Sequence, residues 1–123
     1  MTGITLKNGL RIGNLSSPHP FRFDDGSVLD AVSPEESRKY SASPVEKRHD
    51  RGRFVDIELT FKLTDDLRAE IDRINADPGV DIVLVSLPTM TAIKSAGLPI
   101  GKCRVVRLTD RVNKIVSSTE FCI

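Results

Sequence analysis

Two short windows hold eight of the eighteen lysines and arginines in this 123-residue sequence, and they are its strongest chemical signal. Arg104, Arg107, Arg111 and Lys114 make one set; Lys47, Arg48, Arg51 and Arg53 make the other. Arg107 and Arg111 flank Leu108-Thr109-Asp110, where Thr109-Asp110 reads as a turn. A hairpin there would carry both guanidinium groups to one end of a sheet. A guanidinium is planar, always charged and able to grip two oxygens at once, so a pair beside a groove suits phosphate. The plain alternative is a salt-bridged hairpin in which Asp110 pairs with one of them. In the second window Gly52 adds flexibility and Phe54 follows directly. It reads either as a solvated loop tip or as an anion site completed by another subunit or a ligand, with Arg51, Arg53 and Phe54 as its contacts.

The residues that could catalyse are fewer. His19 stands between Pro18 and Pro20, a rigid frame that fixes its direction as a site would require, although a structural imidazole bonded to a backbone carbonyl is the commoner role. A nucleophile needs a base within hydrogen-bond reach, and Ser86 or Cys103 would have to meet His19. No spacing requires that meeting. His19 and His49 lie far apart without a matching acidic pair, and Cys103 and Cys122 match no zinc pattern, so no metal or cofactor is expected. The glycines follow neither the phosphate-loop nor the dinucleotide pattern. Asp24-Asp25, Glu35-Glu36 and Asp65-Asp66 are accounted for by a turn and two helix starts. The chemistry therefore favours binding over catalysis.

The elements that must position these groups are legible in the hydrophobic pattern. Val80 to Leu87 reads as a central strand, because the unbroken run Ile82 to Val85 suits a strand covered on both faces. Met1 to Asn14 reads as a small strand pair or one bent strand, with Asn8-Gly9 as a hairpin turn signal, and Phe21 to Val32 reads as a hairpin around Asp24-Asp25-Gly26. Ser33-Pro34-Glu35-Glu36 carries a reciprocal capping pattern for a short helix, and Ser43-Pro44-Val45-Glu46 repeats it, as helix or polar loop. Phe54 to Leu63 alternates, with Val55, Ile57, Leu59, Phe61 and Leu63 on one face, and predicts a half-buried strand. Thr64 caps a predicted helix to Ala76, whose Leu67, Ile71 and Ile74 would pack on the sheet. Pro88 to Gly97 predicts another helix with Thr89 as cap; Lys102 to Leu108 and Val112 to Ser117 predict a closing hairpin, with Phe121-Cys122-Ile123 docked. Phe54–Leu63 and Val80–Leu87 could be parallel neighbours through a crossover. The expected fold is α+β: a mixed, mostly antiparallel sheet with one main helix at about 65–76 packed on it. Residues 1–123 would form a single domain, with a polar basic loop at about 41–53.

Composition sets the bounds. A net charge of +1 argues against a strongly basic nucleic-acid binder, so any anion site must be local. Aromatics are 5 %, which makes the core aliphatic. Two cysteines are too few for a disulfide framework and read as reduced thiols in a cytoplasmic protein, the alternative being a Cys103–Cys122 bridge between neighbouring strands. No apolar stretch approaches a membrane span, and the first residues lack the apolar run of a signal peptide.

The segment Asn14-Leu15-Ser16-Ser17-Pro18-His19-Pro20-Phe21-Arg22-Phe23, the Val83-Leu84-Val85-Ser86 strand and the closing basic hairpin together resemble small phage-encoded proteins that often open on Asn-Leu-Thr-Pro-His. An extra serine interrupts that pattern here. Size and layout are similar to the phage anti-defence sponges that counter Thoeris immunity. The resemblance implies a non-catalytic homo-oligomer in the cytoplasm of an infected or lysogenic bacterium. It would sequester a cyclic nucleotide or ADP-ribose-type signal between subunits. Arg107 and Arg111 would contact the phosphates, Arg104 and His19 would belong to the same ligand site, and the Arg48–Arg53 stretch would form a second anion site. Phe21, Phe23, Tyr40, Phe54, Phe61 and Phe121 are the candidates for base stacking. The rival expectation is an interaction module whose basic segments meet an acidic protein or nucleic acid.

Overall fold

Val83 and Leu84 point to opposite sides of one strand and both are buried, so the sheet around them is covered on both faces. The computed structural model describes residues 1–123 as nine strands and three helices. The strands are β1 (Thr2–Thr5), β2 (Arg11–Asn14), β3 (Phe21–Phe23), β4 (Val28–Leu29), β5 (Ser43–Asp50), β6 (Val55–Lys62), β7 (Ile82–Leu84), β8 (Cys103–Asp110) and β9 (Ile115–Cys122). The helices are α1 (Pro34–Lys39), α2 (Asp65–Asn75) and α3 (Leu87–Ser95). Seven strands form one sheet in the order β1-β2-β7-β8-β9-β3-β4, while β5 and β6 form a separate ribbon. The fold is α+β, with a mostly antiparallel mixed sheet.

The large sheet curls until its edges nearly meet, as a barrel does. Thr2 Oγ1 on β1 donates to the Asp30 carbonyl just after β4, at 2.5 Å. Leu6, Ile12, Phe23, Leu29, Leu84 and Val116 fill the inner side. On the outer side Val83, Val85 and Cys103 meet Leu67, Ile71 and Ile74 of α2 and Met90 and Ile93 of α3. Burying side chains of this kind contributes about 1.5–3 kcal/mol each. The continuous apolar run of β7 is therefore divided between two cores, which explains why it does not alternate.

Local chemistry sets the boundaries. Asn8-Gly9 turns β1 into β2, with Gly9 at φ 89°, and Gly26 at φ 87° turns β3 toward β4. Thr64 Oγ1 accepts from Leu67 N–H (3.2 Å) and starts α2 as expected. Ser33 caps α1, yet its reciprocal partner is elsewhere: the Glu36 carboxylate binds the terminal ammonium of Met1 at 2.7 Å.

Several expectations change. The central strand spans only Ile82–Leu84, because Ser86 turns out to cap α3 and Leu87 opens that helix; Thr89 is the capped residue, not the cap. The closing strands run longer than the pattern suggested, with the turn at Arg111–Lys114. The parallel neighbours of β7 are β2 and β8, not β6. Ser43–Asp50 is neither helix nor loop but a strand, paired with β6 over eight residues from Ser43↔Lys62 to Asp50↔Val55. β6 alternates as read, but its apolar face lacks cover over most of its length: Val55, Ile57 and Leu59 are 40–53 % exposed. Alternation reports which side chains share a face, not whether another layer lies on it. The chain end is paired through Cys122, opposite Val105, but Ile123 is exposed. No helix is long and apolar enough to cross a membrane.

A serine-lined cleft as the candidate functional site

β2, β7 and β8 run parallel, so the chain leaves β2 and β7 at the same end of the sheet, beside the middle of β8. A cavity of about 360 Å³ occupies that position. Ser16, Ser17 and Pro18 follow β2; Leu84, Val85, Ser86 and Leu87 lead from β7 into α3. Val105 and Val106 of β8, Phe21 of β3, and Ser37 and Ser41 at α1 complete the wall. Its volume falls within the range of small-ligand sites, roughly 300–1,000 Å³.

The loop that supplies Ser16 and Ser17 is held by Asn14, which is fully buried. The Asn14 Oδ1 accepts from Ser17 N–H (2.9 Å), and its Nδ2 donates to the carbonyls of Ser17 (3.1 Å) and Asp30 (3.0 Å). One amide therefore ties the end of β2, the serine loop and the segment after β4.

Three of the five serines are committed locally. Ser17 Oγ donates to the His19 carbonyl (2.8 Å), Ser41 Oγ donates to the Ser37 carbonyl, and Ser86 Oγ donates to Thr89 Oγ1 (3.0 Å). Ser16 and Ser37 keep hydroxyls for a ligand. The floor is aliphatic, Phe21 offers an aromatic face, and no charged side chain lines the cleft. Such a wall can hold a molecule with an apolar face and a few oxygens. It holds no general acid or base.

The arginines singled out by sequence lie elsewhere. Arg107 pairs with Glu120 across the β8–β9 ladder at 3.0 Å, both exposed. Asp110 pairs with neither flanking arginine; it accepts from Val112 N–H (3.0 Å), Asn113 N–H (3.1 Å) and Asn113 Nδ2 (2.8 Å). Arg104 donates to the carbonyls of Gly101 (2.8 Å) and Cys103 (2.7 Å). Arg111 is exposed on the turn. Arg51 pairs with Asp56 (3.0 Å) at the tip of the β5–β6 ribbon, where Arg53 and Phe54 are exposed. The two basic sets thus sit on different sheets, and none of these arginines lines the principal cavities.

His19 is exposed, and only its backbone is engaged, through Ser17. It makes no hydrogen bond to Ser86 or Cys103. Both cysteines are free, Cys103 buried and Cys122 exposed. Burial pushes the Cys103 thiol up to about 11, so it stays protonated and inert at neutral pH. No cluster of three or more His, Cys, Asp or Glu side chains has the geometry to hold a metal.

Sequence reasoning passed over Ser16, Ser37 and Ser41 because serines between elements are ordinary in loops. Asn14 carried a readable signal: an Asn side chain that folds back on the backbone a few residues ahead marks a turn. Phe21 was among the stacking candidates and is the one that lines the cleft. Compared with protein-family models, curated proteins and solved structures, the chain matches none.

Proposed function

We propose that this protein is a non-catalytic binder that sequesters a nucleotide-type small molecule, with the nucleoside part seated in the serine-lined cleft. The observation that carries the reading is the composition of that wall. An aliphatic floor and Phe21 suit a base, and the unpaired hydroxyls of Ser16 and Ser37 suit sugar or phosphate oxygens. No acid–base pair stands ready to break a bond. The resemblance to phage sponge proteins supports a cyclic nucleotide or ADP-ribose-type signal, held in a reducing cytoplasm where both thiols stay free. Because no cation lines the cleft, the phosphate charge of such a ligand faces its mouth and remains hydrated, and binding depends only weakly on salt.

Calorimetry of the purified protein with cyclic ADP-ribose isomers and cyclic dinucleotides tests this reading. Saturable binding is expected, with the ligand recovered intact after denaturation. Ser37→Leu, which fills the cleft from α1, should abolish it. A failure of every such ligand to bind would overturn the reading. Affinity that falls steeply with salt and survives Ser37→Leu would instead favour an interaction module working through the basic segments.

A further inference from the structure

The β5–β6 ribbon is two strands wide and separate from the large sheet, and its main helix contact is α3 against β6. A lone two-stranded ribbon is marginal in water, and three or more strands are the usual remedy. Both outer edges lack a strand partner, and α3 lies against β6, which leaves the outer edge of β5 the more open one. Arg51 N–H donates to the Phe54 carbonyl (2.9 Å), which fixes the parity of the ladder. Counting back from it, Val45, Lys47 and His49 bond to β6, while Pro44, Glu46, Arg48 and Asp50 aim their backbone groups outward.

The side chains on that edge are unevenly satisfied. On one face His49 pairs with Glu58 (3.1 Å), and next to it Arg51 pairs with Asp56. On the other face Glu46 and Arg48 form no ion pair within the chain, although both are exposed.

We propose that β5 pairs antiparallel with β5 of a second copy, centred on Lys47, to make a continuous four-stranded sheet. In this register Glu46 lies opposite Arg48 of the second copy, and Arg48 opposite its Glu46. All four present the outward backbone groups that antiparallel pairing uses. Pro44 lies opposite Asp50 and accepts from its N–H but has none to return, so each end of the pairing makes one bond where an inner pair makes two, a loss confined to the margin of the new sheet. Lys47 faces its own twin, and each has Glu58 beside it on its own ribbon. Across one face the rows read Leu59, Glu46, then Arg48 and Ile57 of the second copy. This pairing stands independently of the cleft reading.

Sedimentation of the full chain, with charge reversals, tests it. The wild type should be a dimer. Glu46→Arg and Arg48→Glu should each weaken it about tenfold or more, since two opposed pairs per dimer turn repulsive. The double variant should restore it. In a Cys122→Ser background, Lys47→Cys should form an intermolecular disulfide under mild oxidation, because self-facing residues of a non-hydrogen-bonded pair lie about 4.5 Å apart at Cα. Val45→Cys, whose copies are far apart in this register, should not. A monomer at every concentration, a dimer indifferent to the charge reversals, or cross-linking no faster at Lys47→Cys than at Val45→Cys would overturn the proposal. So would a strand of another protein found on β5.

Discussion

Replacing Asn14 isolates the bond set that holds the cleft together. Asn14→Leu keeps the volume and deletes three hydrogen bonds. Two of the lost partners are carbonyls with other donors: Val32 N–H still reaches Ser17 O (3.0 Å), and Thr2 Oγ1 still reaches Asp30 O. Each of those losses costs about 0.5–1 kcal/mol, and the orphaned Ser17 N–H costs about 1–3 kcal/mol. The total is about 2–5 kcal/mol, a fall in Tm of roughly 8–20 °C for a chain of this length. Asn14→Asp sharpens the test. It retains the acceptor for Ser17 N–H but aims a buried carboxylate at two carbonyls, so its folded-state pKa must rise. Its cost is largest above that raised pKa and shrinks as the pH falls through it, because the protonated acid again donates. Unfolding by urea, followed by circular dichroism since the chain has no Trp, reads both variants. Asn14→Asp should be the less stable at pH 7 and should gain on Asn14→Leu toward pH 4. A loss under 1 kcal/mol for Asn14→Leu, or no pH-dependent convergence, would refute the role given to this amide.

The Arg11 side chain and backbone both bind the Asp81 carboxylate, at 2.8–3.2 Å, and hold its pKa at about 2, below the ordinary 3.8. That stabilisation is complete above the unfolded value and is lost as the pH falls toward about 2; thermal melts across that window should show a loss that Asp81→Asn lacks. A thiol reagent should modify Cys122 in the native protein and reach Cys103 only on unfolding, as counted by mass spectrometry. The exposed Arg107–Glu120 pair should matter little: Arg107→Ala should change stability by less than about 1 kcal/mol and leave ligand affinity unchanged in calorimetry.

Where one local signal decided the outcome, the fold was legible in the residues. Asn8-Gly9, Asp24-Asp25-Gly26, Thr64 and the stripe Leu67, Ile71, Ile74 each led to the element observed. Failures arose where two signals competed or where distant segments decide. Ser43-Pro44-Val45-Glu46 carries a helix-capping pattern, yet it becomes a strand because β6 offers it an eight-residue partner. Ser86 and Thr89 are both capping types three residues apart, and only Pro88 between them, which favours the first helical turn, tips the choice to Ser86. The cleft was not legible at all. Its serines come from three separated segments, and their convergence depends on β2, β7 and β8 being parallel neighbours, which no local pattern encodes. The arginines drew attention through charge, but charge on a hairpin is easily satisfied by the opposite strand, as Glu120 does for Arg107.

Chemical-shift mapping of the labelled protein, titrated with a nucleotide ligand that calorimetry shows to bind, tests the placement of the site most directly. The backbone amides of Ser16, Ser17, Phe21, Ser37, Ser41 and Val85 to Leu87 should move together and saturate, while those of Arg107, Arg111, Arg51 and Arg53 stay still. Shifts confined to the β8–β9 turn or to the tip of the β5–β6 ribbon, with the serine loop unmoved, would contradict that placement.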